Sequence, residues 1–269
     1  MKSTHKYLKS YALGLKRKLE YRFDFFTSIF SSIFTLLVLI TLWRAIYSTS
    51  NAELLYGYTF QQMLFYVVSS TLLSKMITTD IMNDVSIDIK DGGLNKFLIQ
   101  PFNYIRYRFS VLLGEKTCES VVVLGLIIIL TLLMSIFSKT TSSFSCFAVA
   151  LGSIVLSIIL NFYLSFIIAT FAFWITDTFY LNFGLNVVLL VLSGAIFPID
   201  ILPPAFVVIS RYLPFQYISF FPVKILTGSI DHLDLLFGLF MQVCYIVALR
   251  VISKLFWDYG VKKHIAVGG

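Results

Sequence analysis

Three histidines and three cysteines are the side chains of this 269-residue chain best suited to catalysis or metal binding, and their positions serve neither. His5 stands in a basic amino-terminal arm, His232 beside Asp231 and Asp234, and His264 near the carboxyl end. No two share the His-Glu-x-x-His spacing that sets two imidazoles on one helix face. A nucleophile with an adjacent base is missing as well, which argues against a membrane hydrolase or lipid-modifying enzyme. Cys118, Cys146 and Cys244 lie in or beside apolar runs, so they read as small core hydrophobes rather than a disulfide framework. Gly114-Glu115-Lys116-Thr117 looks like the end of a phosphate-binding loop. It lacks the glycine spacing, the adjacent Gly-Lys and a preceding strand, so it gives the chain no means of holding ATP.

What remains is polar chemistry within apolar segments. A charge near a bilayer midplane is costly and so marks proton or ion routes, but the charges here stand at segment ends. Arg44 falls between Trp43 and Tyr47, Lys75 and Asp80 close one apolar run, and Glu115 and Glu119 open the next. Arg250 and Lys254 have stems long enough to reach a membrane surface. Glu119, about one turn inside its segment, and the amides Asn161, Asn182 and Asn186 are the candidates for a path through the interior. An asparagine so placed more often bonds a neighbouring helix.

The elements that must position these groups follow from composition. Apolar residues make up 58% and charged residues 13%, with a mean hydropathy of +0.87, a balance that cannot keep a soluble surface wet. Six stretches have the roughly 20 apolar residues a helix needs to cross hydrocarbon: 25–47, 58–79, 118–137, 144–171, 179–197 and 233–257. Continuous runs such as Val121 to Met134 exclude a β-barrel, whose strands alternate. The expected fold is all-α and polytopic with six transmembrane helices. Seven lysines and arginines lie between Lys2 and Arg22, five between Lys90 and Lys116, and three at Lys254, Lys262 and Lys263. The opposite loops hold only Lys139, Arg211 and Lys224, so both termini are expected in the cytoplasm. Thiols placed at Asn51, Thr141 and Ser229 should then react from outside, and those at Ser10, Asn95 and Thr176 should not. These charges hug segment ends and form no separate basic module, which argues against nucleic-acid binding.

Three connecting regions carry further signals. Leu8, Tyr11, Ala12, Leu15 and Leu19 recur at helical spacing among Lys6, Lys9, Lys16, Arg17 and Lys18, predicting an amphipathic helix in the inner interface; no cleavable signal pattern precedes it. From Asp91 to Asn103, the pair Gly92-Gly93 is expected to break the helix continuing from the second span. A short amphipathic helix would then follow, with Pro101 and Asn103 restarting the chain toward the third span. Leu94, Phe97 and Leu98 would give it an apolar face for a partner groove. Between the fifth and sixth spans, Phe197-Pro198, Pro203-Pro204 and Pro214-Phe215 punctuate apolar pieces too short to cross, which predicts a re-entrant or interfacial pair of half-helices.

The segment Asp91-Gly92-Gly93-Leu94-Asn95-Lys96-Phe97-Leu98-Ile99-Gln100-Pro101-Phe102-Asn103, together with the tail from Phe256-Trp257-Asp258-Tyr259-Gly260 to Gly268-Gly269, resembles the ABC-2 type transporter permeases. These are six-span subunits of about this length encoded beside a separate ATPase, and the likeness covers the whole chain. His264 stands where an aromatic is common and Lys96 where arginine is frequent.

The resemblance implies one transmembrane domain over residues 1–269: a connecting helix at 1–23, six helices over 24–257 and a cytoplasmic tail at 258–269. It implies that Asp91, Gly92, Gly93, Leu94, Asn95, Lys96, Phe97 and Leu98 form a coupling helix for the ATPase. Phe197, Pro198, Pro203, Pro204, Pro214 and Phe215 would belong to an outer gate. ATP and Mg would be bound by two partner ATPase subunits and not by this chain. A second permease, the same chain or a sister, would complete a dimer in a bacterial plasma membrane. The cargo would be hydrophobic or amphiphilic: a drug, an antimicrobial peptide or a lipid-like molecule. The alternative is a membrane-embedded immunity or binding protein that transports nothing. A secondary transporter would need midplane charges or repeated broken helices.

Overall fold

The computed structural model describes residues 2–20, 22–50, 53–99, 102–138, 144–175, 178–228 and 230–268. Gln100 and Pro101, and the labelling positions Asn51, Thr141, Thr176 and Ser229, lie outside them. The chain is almost wholly helical: α1 (Lys2–Glu20), α2 (Arg22–Ser50), α3 (Phe60–Ile77), α4 (Ile81–Lys90), α5 (Asn95–Leu98), α6 (Tyr104–Ser138), α7 (Phe144–Thr170), α8 (Phe179–Leu192), α9 (Pro204–Arg211), α10 (Phe220–Leu226) and α11 (His232–Gly268). A two-stranded hairpin, β1 (Leu54–Leu55) and β2 (Tyr58–Thr59), links α2 to α3 through left-handed Tyr56 and Gly57. Its exit is fixed by a capping box: Thr59 accepts from the Gln62 amide and Gln62 accepts from the Thr59 amide.

Each of the six apolar stretches falls on a helix. Among the described residues three helices are long and apolar enough to cross a membrane, Thr27–Ser50, Phe147–Phe173 and His232–Lys263. The fifth stretch is shorter than expected: α8 is apolar but stops at Leu192, because Gly194 turns left-handed at φ 74°. α7 is the buried centre, with Leu160, Phe162, Phe166 and Ala169 fully covered, while α3, α4, α10 and α11 pack around it. α2, α8 and α11 turn many large apolar side chains outward, among them Phe34, Phe183 and Phe240. A surface of that kind suits hydrocarbon.

The break after the second stretch comes earlier than the glycine pair. α3 ends at Ile77, Thr78 and Thr79 are non-helical, and α4 begins at Ile81, so α4 is an additional element between α3 and Gly92. Asn161 of α7 donates from Nδ2 to the Ile77 carbonyl at 2.9 Å and satisfies one acceptor that the break exposes.

Two short helices, α9 and α10, lie between α8 and α11 and differ in burial. α10 is buried at Phe221, Val223, Ile225 and Leu226, and no residue of α9 is buried. Gln242 on α11 donates to the carbonyls of Tyr217 and Ser153 at 3.0 and 3.2 Å, and Ser157 also donates to Tyr217. These bonds supply the partners that irregular backbone needs when it is enclosed.

Candidate functional site

Two constellations stand out, a charged bracket where α1, α4 and α6 meet and a polar cavity at the α3 to α4 break. The bracket begins where α1 crosses α6. A Cβ on Gly14 would lie 2.1 Å from the Val111 carbonyl oxygen, and one on Gly114 the same distance from that of Tyr11, so the two backbones touch through paired glycines. Ser10 and Gly14 are buried in this crossing while Leu8, Ala12 and Leu19 face outward. The expected apolar stripe is therefore split: Leu8, Ala12 and Leu19 are left for the surroundings, while Tyr11 and Leu15 join Ser10 and Gly14 against α6.

Close approach brings charges into register. Arg17 pairs with Asp84 at 3.0 Å and Glu115 at 3.4 Å, and Lys18 with Glu119 at 2.5 Å. Lys116 also holds Glu119 at 2.5 Å and donates to the Lys75 carbonyl at 3.2 Å. Glu119 thus ties α1 to α6 through two ion pairs. The stretch Gly114-Glu115-Lys116-Thr117, with its phosphate-loop appearance, supplies a helix contact, two ion-pair members and a hydroxyl 2.9 Å from the Tyr11 hydroxyl.

Arg108 is the hub. Its side chain is 9% exposed and reaches Asp84 at 3.0 Å, Asp88 at 2.6 Å and the Asp84 carbonyl at 3.0 Å. Tyr104 donates to Asp88 at 2.6 Å and accepts from Arg108 Nε at 2.9 Å. Burial opposes the guanidinium charge, yet Tyr104, Asp88 and Asp84 outweigh it and raise the Arg108 pKa, so the charge is permanent. Burial first, and then Asp88, push the Tyr104 phenol well above its usual range and keep it a donor. Asp84 and Asp88 read from sequence only as part of a polar connection, although their i, i+4 spacing does place them on one helix face.

This hub fixes the Asp91 to Asn103 element. Gly92 takes φ 72°, and the Leu94 amide donates to the Asp88 carbonyl at 2.8 Å. Leu94 is fully buried, and the Phe97 ring lies 4.7 Å from Tyr107 and 5.1 Å from Tyr104. The expected outward apolar face is therefore corrected: Leu94 and Phe97 close the chain's own core, because ring packing beneath the turn buries more apolar surface than leaving them in water would. Asp91, Gly92, Asn95, Lys96 and Ile99 are exposed, Ile99 at 84%, and Gly93 is half-buried. Leu98 lies in α5. Tyr104 stacks on Trp257 of α11 at 4.6 Å, and Gly260 makes room for the Phe173 ring. The tail motif is thus tied to the same element.

The cavity, about 270 Å³, opens at the α3 to α4 break. Asn161 and Asn186 both line it, with Thr79, Asp80, Asn83 and Ser219. Asn182 does not. It is buried one turn away, donates to Asn83 and Ser86 at 3.2 and 3.4 Å, and its carbonyl accepts from Asn186 at 2.9 Å. The hydroxyls of Ser74, Thr79 and Ser219 have no protein partner among the described residues.

The expected gate residues differ in burial. Pro198 is buried, Phe197, Pro214 and Phe215 are half-buried, and Pro203 and Pro204 start the exposed α9. Beside them Asp200 accepts from Tyr58 at 2.7 Å and pairs with Lys224 at 2.7 Å, joining the hairpin to α10. Among the described residues no group of histidine, cysteine or carboxylate side chains could hold a metal.

Curated proteins offer no match to this chain. A family model described as "ABC-2 family transporter protein" matches residues 29–268.

Proposed function

Because the chain belongs to the ABC-2 family of transporter proteins, we propose that it is the transmembrane subunit of an ABC exporter, driven by a separate ATPase, that moves a hydrophobic or amphiphilic cargo outward. The observation that carries this reading is the Asp91 to Asn103 element. It is bolted through Leu94, Phe97 and Tyr104 to α4, α6 and α11, and it is bare at Asn95, Lys96 and Ile99. A lever needs both properties: stiffness toward the bundle and a free tip toward its motor.

In this reading α2, α3, α6, α7, α8 and α11 cross the membrane, and the basic end with both termini faces the cytosol, following the charge asymmetry. Two ATPase subunits, which bind ATP and Mg, press on the elements of two permeases. The bundles rock, and a path at their interface alternates between sides. The region from Phe197 to Phe215 would lie over the outer end of that path, and Asn161, Asn186 and the cavity near its inner end.

Purification in mild detergent with identification of what accompanies the chain tests the motor. Ile99→Asp tests the tip. It places a charge on a side chain that makes no contribution to the core, so the chain should insert and fold while ATPase recovery falls about tenfold, a loss of about 1.4 kcal/mol. Normal recovery and normal export in this variant would remove the element from the docking surface. Phe97→Asp is a poorer probe, since it would also break the ring cluster.

Orientation is checked with single thiols. Asn95→Cys and Lys9→Cys should resist an impermeant reagent applied to intact cells, and Tyr56→Cys and His232→Cys should react. Ser10 is unsuitable because it is buried against α6. Labelling of Asn95→Cys from outside would overturn the six-span arrangement.

A further inference from the structure

We propose that the cavity at the α3 to α4 break receives the headgroup of a cationic amphiphile, with Asp80 as its charge partner; this rests on the reading of the chain as a transport subunit and names the class of its cargo. Asp80 is the one ionisable residue among those that line the space. Its side chain caps no helix and forms no ion pair among the described residues; the Lys75 ammonium, which lies outside the lining and donates to Ser28, interacts with it only at longer range. The other polar groups are neutral, and three of them, the Ser74, Thr79 and Ser219 hydroxyls, are buried without a protein partner. A space with one carboxylate, neutral acceptors and no lysine, arginine or histidine favours a positive charge and disfavours an anion.

Shape supports an amphiphile over a bare ion. A volume of about 270 Å³ is several times the roughly 30 Å³ share of a water molecule, so a headgroup with its first carbons fits. On one side the lining is α8, through Phe183, Val187 and Leu190. The same three residues are 65%, 47% and 42% exposed, so the cavity continues onto the outward apolar face of that helix. A chain attached to the headgroup can leave along α8 into hydrocarbon with no polar barrier to cross. Since α3 ends here beside the basic end of the bundle, the ligand would arrive sideways from the inner leaflet.

The experiment uses the full chain in its native membranes and an alkyl trimethylammonium probe with a photoreactive diazirine in its chain. An alkyl sulfonate with the same chain and diazirine serves as comparator. The ammonium probe should label α8 peptides between Phe183 and Leu190 at least fivefold over the sulfonate. Asp80→Asn should reduce that labelling about fivefold, the size expected for a charge pair at a partly exposed site, and Asp80→Glu should keep most of it. Equal labelling by the two probes in the unmodified chain, or full labelling of a folded Asp80→Asn variant, would overturn the inference. ATPase copurification from the same membranes separates the two readings. ATPase present without charge preference defeats the cargo class alone, whereas charge-selective labelling without any ATPase leaves a cation site and defeats the exporter.

Discussion

Gly114→Val should pull α1 away from α6 and scatter the charged bracket. The contact leaves no room to adjust, because the groups facing a Cβ at this position are the Tyr11 carbonyl oxygen at 2.1 Å and the Leu15 amide at 2.8 Å, both backbone. Side-chain rotation cannot relieve such a clash, so the helices must separate by an ångström or more. The ion pairs of Arg17 with Asp84 and of Lys18 with Glu119 would separate with them. The expected cost is at the upper end of overpacking penalties, about 3 kcal/mol. Ser10 provides the readout, since it is 5% exposed in this crossing. In a background with Cys118, Cys146 and Cys244 replaced, Ser10→Cys should resist a thiol reagent in solubilised protein and become reactive once Gly114→Val is added. Protection that persists would mean that the helices do not meet through these glycines.

Arg108→Met should be comparably damaging for an electrostatic reason. The guanidinium is 9% exposed and joins two carboxylates of α4 to α6. Removing one member of a buried charge set leaves the others without compensation, which costs about 3–5 kcal/mol. Asp84 would keep Arg17 and Asp88 would keep the Tyr104 hydroxyl, so the lower part of that range is expected here. The measured quantities are the midpoint of thermal unfolding in detergent and export by the assembled complex. Adding Asp88→Asn to Arg108→Met should recover part of the stability, because the uncompensated charge is gone. Recovery of stability without recovery of export would show that the bracket transmits force as well as holding the fold. Arg108→Met with unchanged unfolding would contradict the burial and pairing described for this side chain.

Much of this architecture is a local property of the sequence. A long apolar stretch becomes a helix wherever the surroundings cannot hydrogen-bond the backbone, since only a helix satisfies its own amides; each of the six apolar stretches is found on one. The Gly92-Gly93 turn is local as well: Gly92 adopts the left-handed φ that glycine permits without steric cost. The polar connection from Asn83 to Arg108 and the prolines between α8 and α11 fixed where apolar helices must stop, and the residues that carry the family likeness lie at those stops and in the tail.

Contacts between helices are another matter, because they depend on crossing angle and axial register, which no single window of sequence encodes. Gly14 and Gly114 each look like an isolated small residue inside a helix, and only their meeting makes them a contact. Glu119 is a lone carboxylate near the start of an apolar run until Lys18 arrives from α1. Leu94 and Phe97 suggest an outward face when read along α5, but the rings of Tyr104 and Tyr107 turn them inward. The cavity likewise exists only because Asn161 on α7, Asn186 on α8 and Asp80 at the start of α4 converge on a break that ends α3 short of Gly92. Sequence determined the helices and their ends through backbone satisfaction, a local demand. Tertiary structure decided which polar groups meet, because burying a charge or a carbonyl is tolerable only where a distant residue arrives to pair with it.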